Sequence, residues 1–311
     1  MLPALLTTFF FAGTAVFARR SALALGGSVA NFWRLLLTAA LLGAWAVFFG
    51  QGLGAAFGWF FASGLVGFGF GGLLVFYAFP RSGSNLGNLI VQCGSAVWVL
   101  FFEWTWLGSR PSADQLVYIV LILAGVTLGL APRSFPKIPA AQLRLGALLA
   151  ALSAVGQGTG AVMSRRAFAA AKAAHLNIDP GTASLQRVLA GLLVAVAALA
   201  VTRLGRKRHG PSLASRQALQ QDRAWLWVVL NTLAGPLLGA TCMQWALSTT
   251  PAAVVQPIVA TAPLLTAPLA WKLGEDLPRR RYFLGALLSV AGTAGLGWDF
   301  IARLAAAAGA H

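Results

Sequence analysis

Long apolar runs separated by short polar breaks make up the whole chain. The hydrocarbon core of a bilayer, about 30 Å thick, takes about 20 helical residues at 1.5 Å each. On that ruler the runs at 2–18, 31–50, 56–79, 84–107, 114–131, 143–163, 182–202, 224–247, 252–273 and 282–302 predict ten membrane-crossing helices. Helix is imposed, because backbone N–H and C=O groups in lipid must pair within their own segment. A membrane barrel would show short strands of alternating polarity, and this pattern has none. The first run is followed by Arg19 and Arg20, whereas a cleaved leader carries its positive charge ahead of the apolar core, so it is read as helix one.

Composition makes the membrane reading firmer. Apolar residues are 58% of the 311 positions and charged residues 10%, with a mean hydropathy of +0.76. A soluble domain carries about 25% charged residues to cover its surface. The net charge of +16 would suggest nucleic acid in a soluble protein. Here the cations sit between the apolar runs, as in the loops of membrane proteins, and no nucleic-acid recognition motif accompanies them. Cys93 and Cys242 lie in different apolar runs and His175, His209 and His311 are scattered, so neither a disulfide framework nor a metal site is expected. No catalytic triad, paired carboxylates or phosphate-binding glycine loop is present, which speaks against an enzyme and calls for no cofactor.

The connections are short except 132–142, which is proline-rich, and 203–223, which is basic. The first divides the chain into 1–131 and 143–311, and the two parts repeat each other. Ala15–Arg20 (AVFARR) matches Ala161–Arg166 (AVMSRR), and Arg34 in NFWRLLL matches Arg187 in SLQRVLA. YAFPRSGSNLGNLIV (77–91) aligns without gaps on WALSTTPAAVVQPIV (245–259), and 107–125 parallels 273–292 with one inserted residue. A repeat of five helices enters the membrane from the opposite side the second time. The predicted fold is therefore an all-α integral membrane protein of ten transmembrane helices in two inverted five-helix repeats, with a site at midplane between them.

These residues resemble the drug/metabolite transporter superfamily, in particular its ten-helix branch with two EamA-like repeats. The resemblance rests on Arg34 and Arg187 near the start of each second helix. It rests also on Leu273-Gly274-Glu275-Asp276-Leu277, followed by Gly285 and Ala291-Gly292. Asp276 stands where the family commonly has arginine, and Ser109 follows Gly108 where glutamate is usual. The resemblance implies a membrane transporter that exports or exchanges amino acids, drugs, sugars or other metabolites, without naming the cargo.

A carrier needs polar groups facing an internal cavity, since facing lipid is costly. On the fourth helix Asn85, Asn88, Gln92, Ser95 and Glu103 share one half of the circumference at 100° per residue. They read as a cavity wall or, alternatively, as hydrogen-bonding glue between helices. Glu103 is the one acid well inside a span, and it is open to two readings: proton coupling, or reaching the interface beside Trp104 and Trp106. The ninth helix carries Gln256 with Pro257, Pro263 and Pro268, each proline freeing an upstream carbonyl. Gly64, Gly67 and Gly71 in the third helix and Ser153, Gly156, Gln157 and Gly160 in the sixth suit close packing. Asn231 and Gln244 in the eighth helix and Trp33 in the second complete the candidate substrate-binding set.

The expected function is secondary transport of a small organic solute, coupled to protons, in a bacterial inner membrane. The expected partners are the solute, the lipid bilayer and protons, and nucleic acid is not one. The alternatives are an antiporter of phosphorylated or nucleotide-linked sugars, and a membrane scaffold or lipid-handling protein. Most Lys and Arg residues fall in the loops opposite the termini, which puts both termini outside the cytoplasm. The family resemblance implies the reverse orientation.

Overall fold

Lipid leaves helix as the cheap backbone conformation, and helix is what the chain adopts. The computed structural model describes residues 1–130, 139–206, 224–272 and 280–308, with the side chains at 84, 85, 203–206, 270 and 303–308 outside that description. Most of the 132–142 linker, most of the basic 203–223 stretch and the 273–277 turn lie outside the described residues. Among the described residues, ten helices are long and apolar enough to cross a membrane.

We number them α1 (Leu2–Leu25), α2 (Gly27–Phe48), α3 (Phe57–Ser82), α4 (Ser84–Phe102, continued as a π-helix over Glu103–Leu107) and α5 (Ala113–Leu130). The second half holds α6 (Ala140–Ala173), α7 (Pro180–Arg206), α8 (Ala224–Thr249), α9 (Ala252–Val259 and Ala262–Lys272) and α10 (Arg280–Ala308). All ten expected spans are present, several longer than their apolar runs. α1 continues through Arg19 and Arg20, and Arg20 lies 4.7 Å from the Trp227 ring. α6 runs for 34 residues, about 51 Å, so it projects beyond the hydrocarbon.

The placement of large side chains fits a bundle that crosses a bilayer. Every tryptophan except Trp98 lies within about two turns of the end of a span. Trp45, Trp59, Trp104, Trp106, Trp245 and Trp298 are at the end that carries the termini, and Trp33, Trp225, Trp227 and Trp271 are at the other. These are the two aromatic belts expected at membrane–water interfaces. Large apolar side chains such as Phe9, Val47, Val117, Leu287 and Val290 point outward.

The packing obeys a two-fold relation. α2 packs on α7 and α5 on α10, each helix on its own repeat counterpart. α1 packs on α8 and α9, and α6 correspondingly on α3 and α4. The enclosed window of α9 is 78% buried, against 22% for α5 and for α10. Eight helices thus surround the centre, and the α5–α10 pair lies at the periphery.

Candidate functional site

Between the repeats lies a cavity of about 900 Å³, its opening included, lined from α1, α2, α3, α4, α6, α7, α8 and α9. Its walls are built by repeat-related residues. Phe11 and Gln157, Ala15 and Ala161, Arg34 and Arg187, and Asn88 and Gln256 occupy matching positions of the two halves, and all line it. Carrying the gapless 77-on-245 register upstream adds Gly67 with Gly235, Phe68 with Pro236, Gly72 with Ala240, and Val75 with Met243.

The same register explains a backbone feature. α3 becomes a π-helix over Leu65–Gly71, and α8 does so over Leu233–Gly239, the matching residues. A π-turn is rare and widens the helix, and it recurs at functional sites. Glycine in α3 and the missing N–H of Pro236 in α8 make it accessible.

Among the expected site residues, Asn88, Gln92, Gln157 and Gln256 line the cavity. The row on α4 forms rungs to α9 along its length. Asn88 Nδ2 donates to Thr266 Oγ1 at 3.4 Å, and Gln256 Nε2 donates to Ser95 Oγ at 2.7 Å. At the far end the backbone N–H groups of Ala252 and Ala253 both donate to the Glu103 carboxylate, capping the N-terminus of α9. The row is therefore cavity wall at Asn88 and Gln92, and inter-helix glue at Ser95 and Glu103. The side chain of Asn85 lies outside the described residues.

Glu103 is 1% exposed and does not line the cavity. Nearby, Arg165 Nη1 donates to the carbonyls of Leu247 and Ser248. Asn231 and Gln244 are fully buried in α8 without hydrogen-bond partners among the described residues, outside the cavity lining. Trp33 packs edge-on against Trp225 at 5.0 Å, away from the cavity. α9 is broken at Ala260–Thr261, ahead of Pro263. Thr8 Oγ1 donates at 3.2 Å to the carbonyl of Ile258 in the broken turn.

Two cavity residues escaped the sequence reading as site residues: Arg34 and Arg187. Each is 6% exposed and seven residues, about 10 Å, inside its helix. No carboxylate lies within ion-pair distance of either among the described residues. Arg34 Nη2 donates to Asn31 Oδ1 at 2.7 Å, whereas among the described residues the Arg187 guanidinium makes no hydrogen bond and neither Nε has a partner. What holds them is aromatic: Arg34 sits 4.8 Å from the Phe76 ring and Arg187 5.0 Å from the Phe68 ring. The signal in the sequence was their identity at matching positions of both repeats.

The sequence profile of the EamA-like transporter family matches residues 1–130 and 144–298. The chain belongs to the EamA-like transporter family. It is therefore a membrane transporter of the drug/metabolite transporter type. A solved structure described as "Crystal structure of protein" superposes with a TM-score of 0.69 at 19% identity, covering 97% of each chain. At that identity the likeness shows the fold. No curated protein matches the chain.

Proposed function

We propose that this EamA-like protein is a secondary active transporter that moves a small organic solute by alternating access through the central cavity. The observation that carries the reading is the cavity itself: enclosed between inverted repeats, lined by matching residues of both, and polar on one wall at bilayer depth. Asn88, Gln92, Gln157 and Gln256 are assigned to the solute, with Ser95, Asn231 and Gln244 behind them. Phe60, Val99, Phe168, Leu247 and Val255 pack toward the end of the bundle that carries the termini, within an apolar cluster that continues through Leu89, Val126 and Leu264 toward the other end. The packing of those five residues supports a carrier closed on the side of the termini. Export or exchange, in a bacterial inner membrane, is the mode this reading assigns.

Proton coupling is assigned to Glu103, and its geometry supports an indirect route. A carboxylate that accepts two N–H groups of α9 holds that helix against α4. Protonation weakens the hold without touching the solute. The test is counterflow into proteoliposomes loaded with amino acids, organic acids and amines. A solute-specific, saturable counterflow is expected. Correctly reconstituted protein that moves nothing would favour the scaffold reading.

A further inference from the structure

The backbones of the two arginines obey the two-fold relation and their side chains do not. Thr232 of α8 donates to the Arg34 carbonyl at 3.5 Å, and its counterpart Gly64 of α3 lies against the Arg187 backbone. Yet the Arg34 guanidinium does not turn to α8 as that of Arg187 turns to α3. The ring that holds Arg187 is Phe68, and its counterpart in α8 is Pro236. The ring that holds Arg34 is Phe76, and its counterpart is Gln244. Both rings are on α3, so both guanidiniums converge there. They meet the two ends of one π-turn, in which the N–H of Gly72 bonds to the carbonyl of Gly67. A Cβ at Gly67 would stand 3.1 Å from Arg187 Nη2, and one at Gly72 would stand 3.4 Å from Arg34 Nη2. The glycines keep that space clear.

The result is two cations gathered on one wall of a cavity with no acidic residue among the described residues of its lining. An arginine inside a membrane span is costly, and a stacked ring returns only part of that cost. The unpartnered guanidinium of Arg187 and the half-partnered one of Arg34 are donors in search of an acceptor. We propose that the cargo of this cavity is an organic anion, with a carboxylate or phosphate at the Arg34–Arg187 wall and an apolar body against Val75, Phe79 and Met243. Gln256 Oε1, a buried acceptor with no partner, takes a donor group of the same solute. A cationic drug has no counter-charge here, and the ammonium of an amino acid has none either.

This inference rests on the transporter reading but fails separately from it. The full-length protein in detergent is heated with 3-phenylpropionate, phenyl phosphate and 3-phenylpropylamine, which share the aromatic body and differ in charge. At least one of the two anions should raise Tm, and the amine should not. Which anion does so distinguishes a carboxylate from a phosphate cargo. Arg187→Gln and Arg34→Gln should each weaken anion binding at least tenfold, and Arg187→Lys should keep part of it. The apo Tm of Arg187→Gln should equal or exceed that of the wild type, because a charge buried without a partner is removed. A structural arginine would instead lower Tm when replaced and leave the anion response intact. That outcome, an amine response matching the anions, or no anion response, would overturn the proposal. Counterflow of the amine in proteoliposomes would leave transport standing and sink the anion site. Anion binding without counterflow would do the opposite.

Discussion

The α5–α10 pair and the cavity wall around α3 both use glycine to bring chains together, and they use it to opposite ends. On the outer pair, Gly125, Gly129 and Gly285 set backbone against backbone: a Cβ on Gly125 would stand 2.6 Å from the Gly285 carbonyl. Two polar pairs close that seam, although Thr293 Oγ1 on α10 has no partner among the described residues. Ser289 Oγ donates to the Ile122 carbonyl at 3.1 Å, and Gln115 Nε2 donates to Asp299 Oδ2 at 2.8 Å. Around α3, Gly67 and Gly72 make room for guanidiniums and for a cavity, and polar atoms remain unpartnered. Small residues drive close helix packing in membranes, where no hydrophobic force draws helices together. The outer seam is what such residues build when packing is the only demand. The inner wall shows the same residue type retained where space has to stay open.

The largest expected effect breaks that comparison directly. Gly285→Leu drives a side chain into the backbone of Gly125 and Gly129, which cannot yield, and should cost about 3 kcal/mol or more. Gly67→Ala meets the far end of the flexible Arg187 side chain at 3.1 Å and should leave stability within about 1 kcal/mol of wild type. Its effect should fall on ligand binding, since it displaces the guanidinium. Thermal unfolding in detergent, run beside a ligand titration, separates the two. Equal destabilisation by both would mean that the inner glycines serve packing alone.

Glu103 comes next, because it belongs to neither class. It is deeply buried like the arginines, yet bonded like the outer seam. Glu103→Ala leaves the N–H groups of Ala252 and Ala253 without their acceptor and should cost about 1–3 kcal/mol. Glu103→Gln keeps an oxygen for one of them, so it should cost less. It should abolish pH-driven transport in proteoliposomes while sparing solute exchange. If pH-driven transport persists at the normal rate, Glu103 is a helix cap and nothing more.

Much of the architecture was legible because the bilayer sets a length and the backbone must be helical within it. The repeat was legible from AVFARR on AVMSRR and from the gapless 77–91 match, and the inverted arrangement followed from counting helices. The break in α9 was foreshadowed by Pro257, Pro263 and Pro268. The π-turns were not legible, since LVGFGFG reads equally well as a packing stripe, and only the register with LAGPLLG reveals the pair. Arg34 and Arg187 were read as a family signature rather than as a site. Their role depends on where Phe68 and Phe76 stand, which no spacing along α2 or α7 encodes. The cap at Glu103 was hidden for the same reason, its partners being about 150 residues away.

The smallest expected effect contrasts two charges on one helix. Asp179 precedes α7, outside the membrane, eight residues before Arg187, and it is as fully partnered as that arginine is bare. Its carboxylate accepts from the backbone N–H of Gln51 at 2.8 Å, from the N–H and hydroxyl of Thr182, and from Trp45 Nε1 at 3.1 Å. Burial pushes its pKa up, but these donors outweigh it and hold the group below the ordinary aspartate value of 3.8. A depressed carboxylate stabilises the fold above its unfolded pKa, and that stability is lost as pH falls through the folded value. Asp179→Ala should therefore cost about 1 kcal/mol at neutral pH, the usual size for a lost N-cap. The Tm gap between variant and wild type should stay constant down to about pH 5 and narrow below the ordinary aspartate value. Arg187→Gln, eight residues along the same helix, should show no such narrowing, because guanidinium stays charged across that range. A gap at Asp179 that does not narrow in acid would mean that the residue acts through backbone geometry and not through its charge.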